Sequence, residues 1–134
     1  MNLADRQALI RYRIEQTDEE IKAIQVLITN KLYAIAVSRI YYAMFHILTA
    51  LALGYEFQTS KHSQLLGWFN KNFIKTAIFD TKYGEILYNA FESRTESDYG
   101  NFVSFEETEV LTMYEELKDF VTVISAHIQH NFLQ

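Results

Sequence analysis

Cysteine and proline are absent from the chain, and glycine occurs only four times. Without cysteine there is no disulfide framework, no thiolate metal site and no cysteine nucleophile, a usage that fits a reducing compartment. With so few helix breakers, long uninterrupted helices are favoured over a strand-and-turn fold. Basic residues are also in deficit, the net charge being −5. That excludes a general nucleic-acid binder, because phosphate neutralisation needs Lys and Arg, but it leaves room for a local basic cleft. No Gly-rich phosphate loop, nucleophile elbow or zinc-ligand spacing occurs, so neither a metal nor a cofactor is expected. The opening stretch "MNLADRQALIRYR" is charged throughout and has no apolar signal-peptide core. The apolar segment 32–54 is interrupted by Arg39, and the charge-free run from Ile40 to Leu53 is too short to cross a bilayer. A cytoplasmic protein with no membrane partner is the expectation.

What is present is apolar periodicity. The chain has 134 residues, 49% of them apolar, enough for one domain with a real core. Ile10, Ile14, Thr17, Ile21, Ile24 and Ile28 follow alternating steps of four and three, which predicts one helix over about 3–29. A second helix over about 31–53 is apolar almost all round (Ile35, Val37, Ile40, Met44, Phe45, Leu48, Leu51), as befits the middle of a bundle, with Gly54 as its C-cap. Thr59 or Ser60 is expected to cap a short third helix carrying Leu65, Leu66, Phe69 and Phe73. Asp80 caps a fourth helix reaching about Tyr99 and closed by Gly100. Ser104 and Glu107 read as a capping box for a fifth, about 105–131, whose seam is Val110, Tyr114, Leu117, Val121, Ile124 and Ile128. The fold class is all-α: a single domain, residues 1–134, built as an antiparallel up-and-down bundle of four to five helices.

Two arginines stand on apolar faces. Arg94 lies in line with Tyr83, Leu87 and Ala90, with Asp98 one turn on. A guanidinium cannot be neutralised, so an inward one needs a partner: Asp98, or a bound phosphate. Arg39 is the one certain charge of the second helix, with Tyr42 and His46 on the same face at +3 and +7. Placing the two polar lines together gives one cleft holding Arg39, Tyr42, His46, Arg94, Asp98 and Tyr99. Such a cluster reads either as a satisfied network that fixes helix register or as a ligand or catalytic cleft. His62, in "SKHS", reads as loop polarity, with anion binding beside Lys61 as the alternative. His127 and His130 have i,i+3 spacing without a third ligand and read as terminal, frayed histidines.

The segments "YAIAVSRIYYAMFHILTAL" (33–51), "TSKHSQLLGWFNKNFIKT" (59–76) and "ILYNAFESRTESDYGNF" (86–102) resemble the HEPN domain. The resemblance is to the stand-alone prokaryotic group marked by Arg-x-Tyr-Tyr-Ala-x-Phe and Arg-x-x-x-Asp-Tyr, and it covers nearly the whole chain. It implies a helical bundle, a homodimer, and a nucleotidyltransferase-fold partner in a toxin–antitoxin pair. Toxic members of that family are metal-independent ribonucleases using an Arg-x(4–6)-His motif. Here Arg94 is followed by "TESDYGN" with no histidine, while Arg39 and His46 satisfy the count on a different helix. Without that histidine the usual acid–base agent is missing. The ordering of readings is therefore a module binding a nucleotide or RNA phosphate or a nucleotidyltransferase partner, then an endoribonuclease toxin using Arg94, Arg39 and His46, then a dimeric scaffold.

Overall fold

A computed structural model describes residues 1–99 and 104–133, apart from the side chain of Tyr99. Its helices are α1 (Leu3–Thr29), α2 (Tyr33–Gly54), α3 (His62–Phe69), α4 (Thr81–Tyr99) and α5 (Glu107–Phe132), with a π-helical turn, Asn70–Ile74, extending α3. Asn2 starts α1 by accepting the Asp5 N–H at 2.8 Å. The chain reverses at Lys31, whose φ is 61°, and α2 runs back along α1. Arg13 then meets Thr49, and Glu20 meets His46. Helix α4 runs antiparallel to α2, pairing Ser97 with Ala34 and Arg94 with Tyr42. Helix α5 runs antiparallel to α1, pairing Gln7 with Phe132 and Tyr114 with Ile21. The result is an up-down-up-down bundle.

The seams account for the packing. Ile10, Ile14, Thr17, Ile24 and Ile28 of α1 are buried, as are all six seam residues of α5. Thr17 is tolerated there because its hydroxyl donates to the Arg13 carbonyl at 2.9 Å. Helix α2 occupies the centre, packing on α1, α3, α4 and α5. It is long and apolar enough to cross a membrane, but twelve of its residues are buried within the bundle. Ile35 departs from this pattern and is exposed.

Several helix ends differ from expectation. Gly54 is the last residue of α2 rather than its cap; a Cβ there would stand 2.4 Å from the Phe132 ring. Close approach of α5, not a left-handed turn, is what needs the glycine. The left-handed residue is Glu56, at φ 57°, and its carboxylate pairs with Arg6. Lys61, not Thr59 or Ser60, is the N-cap of α3, while the Thr59 hydroxyl accepts the Lys61 N–H at 3.2 Å. Asp80 does cap α4, accepting from the Lys82 N–H at 2.9 Å. The box at α5 is formed by Glu106 and Glu109, two residues beyond the Ser104–Glu107 pair. The expected stop at Gly100 lies outside the described residues.

Candidate functional site

The site is built where α1, α2, α4 and the start of α3 meet. Arg39, Tyr42 and His46 follow one another along α2, and Arg94 and Asp98 lie one turn apart on α4. The Arg94 Nη2 group donates to the Tyr42 hydroxyl at 2.7 Å, and its Nε lies 3.2 Å from Asp98 Oδ2. Its guanidinium stands 5.3 Å from the centre of the Tyr41 ring and 5.1 Å from that of Tyr42. Arg39 reaches the Tyr42 ring at the same distance, 5.1 Å. One phenol is thus approached by two guanidiniums, each at cation–π distance from its ring.

The two arginines differ in their surroundings. The Arg94 side chain retains 13% of its exposure, whereas Arg39 retains 46%. The expected inward orientation holds for Arg94 and not for Arg39, which lies at the rim. The reason is geometric: Arg39 packs beside α1, where Glu20 Oε2, at 3.7 Å, holds it beyond hydrogen-bond distance.

Glu20 is a member that the sequence pattern did not single out. Its Oε1 lies 2.6 Å from His46 Nδ1. A carboxylate can only accept, so the proton sits on Nδ1 and Nε2 is left for exchange. The signal was present: Glu20 falls three residues after Thr17 and four before Ile24, on the buried face of α1.

His62 is the second. It is not loop polarity but the first residue of α3, stacked on Phe45 with centroids 3.9 Å apart and planes at 12°. Its Nδ1 lies 2.9 Å from the Tyr41 hydroxyl. Burial, then the positive charge of Arg94, then His46, push its pKa below the usual histidine value. Burial likewise raises Tyr41 to about 12, so its phenol stays protonated. Both histidine rings flank Tyr42, at 6.5 Å for His46 and 6.0 Å for His62. Periodicity could not reveal this, because His62 arrives from a separate helix start.

The side chain of Tyr99, the remaining expected member, lies outside the described residues. His127 is not frayed: it bonds the Tyr55 hydroxyl at 2.7 Å and packs on Phe73 and Phe79. Among the described residues no cluster of three or more His, Cys, Asp and Glu could hold a metal.

Next to the cluster, a groove of about 780 Å³ opens between α1, the end of α2 and the segment before α3. Glu20 and His46 stand on its wall, with Arg13, Tyr12 and Phe57 further along. The groove touches the cluster only through Glu20 and His46; Arg39, Tyr42, Arg94 and His62 do not line it.

The fold and site define an all-helical bundle whose central helix carries an Arg-x-Tyr-Tyr-Ala stretch against an Arg-x-x-x-Asp helix. A model of the HEPN domain matches residues 10–127, and the chain belongs to that family. A relative in Thermotoga maritima, named "UPF0332 protein", is 33% identical over 93% of this chain and 95% of its own length. Two relatives in Methanocaldococcus jannaschii carry toxin names. "Putative toxin MJ0142" is 36% identical over 72% of this chain and 65% of its own length. "Putative toxin MJ0605" is 33% identical over 79% of each.

Proposed function

We propose that the chain is a phosphate-binding HEPN module of a toxin–antitoxin-like pair, acting in the cytoplasm as a homodimer with a nucleotidyltransferase-fold partner. Its ligand is the phosphate of a nucleotide or of RNA, held by Arg94 and Arg39. The observation that carries this reading is the convergence of both guanidiniums on the Tyr42 ring, one fixed and one half-exposed. The formal charges of Arg39 and Arg94 are balanced by Glu20 and Asp98, so the cluster is stable without a ligand. Arg39, however, is held by Glu20 only at 3.7 Å, and an incoming phosphate offers it charge-assisted hydrogen bonds instead. The toxin names of two relatives support the association with such pairs.

The second reading is an endoribonuclease. It is favoured by His62, which supplies an imidazole beside Arg94 where the segment after Arg94 has none.

The experiment combines two readouts. Ligand-induced thermal stabilisation is measured with nucleotides and with a short oligoribonucleotide, and structured RNA is incubated with the protein in EDTA, each beside Arg94→Ala. Stabilisation lost in the variant supports the phosphate site. Cleavage lost in the variant puts the ribonuclease first. Neither effect leaves the scaffold and overturns the proposal.

A further inference from the structure

Resting on the endoribonuclease reading, we infer that His62 and His46 form a split proton-transfer pair around Tyr42 and Arg94, His62 as base and His46 as acid, for cleavage of an RNA phosphodiester.

Each histidine is held through Nδ1 by a different group, so each has Nε2 left for the ligand. For His46 the holder is the Glu20 carboxylate, its Oε1 2.6 Å from Nδ1. For His62 the holder is the Tyr41 hydroxyl at 2.9 Å. A hydroxyl accepts as well as it donates; with the proton on Nδ1, the Nε2 lone pair of His62 is available. The surroundings separate the two roles. His62 lies between the Phe45 ring and the Tyr41 hydroxyl, with Arg94 and His46 as the charged or chargeable groups near it and Lys61 adjacent in the chain. Burial, Arg94 and His46 disfavour a cation there, as does its place at a helix N-terminus. His46 lies beside Glu20, with Arg39 on the other oxygen of that carboxylate. Two titratable groups in contrasting surroundings are the arrangement that acid–base catalysis needs.

The step balances without a further reactant. His62 Nε2 takes the proton of a ribose 2′-hydroxyl as that oxygen bonds to phosphorus. The bond from phosphorus to the 5′-oxygen breaks, and that oxygen leaves with the proton from His46 Nε2. The products are a 2′,3′-cyclic phosphate and a 5′-hydroxyl. His62 ends protonated and His46 neutral, and solvent restores both. Arg94 and Arg39 offset charge on the non-bridging oxygens during the transfer. Glu20 is a positioning residue, acting through His46.

The test is the pH–rate profile of RNA cleavage in EDTA, with RNA binding measured separately, for wild type, His62→Gln, His46→Gln, Glu20→Gln and Tyr41→Phe. Wild type is expected to show a bell-shaped profile and cyclic-phosphate ends. His62→Gln and His46→Gln each lower kcat by roughly 10²-fold or more, with RNA affinity unchanged, and remove the acidic and the alkaline limb respectively. Glu20→Gln lowers kcat without raising KM. Tyr41→Phe, which deletes one oxygen and so keeps the fold testable, shifts the acidic limb. A wild type that binds RNA without cleaving it overturns the pair while the phosphate site stands. Absence of binding overturns both. Cleavage unaffected by either histidine substitution also overturns the pair.

Discussion

Arg94 and Arg39 belong to one cluster on unequal terms, and substitution should separate them. Arg94→Ala removes a nearly buried guanidinium and leaves Asp98 and the Tyr42 hydroxyl without it. The expected cost is about 1–3 kcal/mol, read as a lower urea midpoint with unchanged slope. Arg39→Ala removes a half-exposed group whose carboxylate partner is 3.7 Å away, and the expected cost is below about 1 kcal/mol. If the two variants lose equal stability, the rim position assigned to Arg39 is wrong. At this scale the sequence was informative about residues with a periodic context. Arg94 was legible because it shares the stripe of Leu87 and Ala90, and Asp98 because it stands one turn away. Glu20 was legible in principle from its place between Thr17 and Ile24, but its neighbours Asp18 and Glu19 are also acidic and spacing alone does not single it out. His62 was not legible, since its partners Tyr41 and Phe45 are fixed only by tertiary packing.

At the scale of elements, α1 and α5 follow from their heptad seams, and α1 and the Asp80 start of α4 fall where expected, whereas the caps of α2, α3 and α5 do not. Caps depend on a single backbone angle or hydrogen bond, and neighbouring residues of similar chemistry compete for the role. Glu106 and Glu109 displaced Ser104 and Glu107 in this way. Two glycine-related predictions test the account. Ala77 closes the π turn with φ 62°, its N–H bonded to the Ile74 carbonyl at 3.0 Å. Ala77→Gly should therefore stabilise the protein, by up to about 1 kcal/mol, measured as a raised thermal midpoint. Gly54→Ala should do the reverse, although alanine favours helix by ~1 kcal/mol, because the added methyl meets the Phe132 ring. Overpacking of this kind costs about 1–3 kcal/mol. In a Phe132→Ala background the same change should lose its penalty; a penalty that persists would contradict the contact.

At the scale of the molecule, pH joins the site to stability. His62 and His127 both have pKa values lowered in the fold, His62 by burial and nearby positive charge, His127 by burial and His130. The unfolded chain therefore binds their protons more readily. The stability they contribute is present above the ordinary histidine pKa of about 6.5 and is lost as pH falls below it. The thermal midpoint should drop from pH 7 towards pH 5, with a shallower drop in His62→Gln. Tyr41, raised to about 12, should titrate after the exposed tyrosines in an ultraviolet titration of the native protein. The all-helical class and its up-and-down order were legible because apolar seams, absent prolines and short connections leave few alternatives. The cluster was legible as a junction of α2 with α4, and illegible as a meeting of four elements.

The central claim is that Arg39 and Arg94 hold one phosphate together. It is tested most directly by calorimetric titration of inorganic pyrophosphate into wild type, Arg39→Ala, Arg94→Ala and the double variant. Each single substitution is expected to abolish most of the affinity, the double variant to be little worse than either, and Arg39→Ala to do so with its thermal midpoint intact. Binding in Arg39→Ala equal to that of wild type would contradict it.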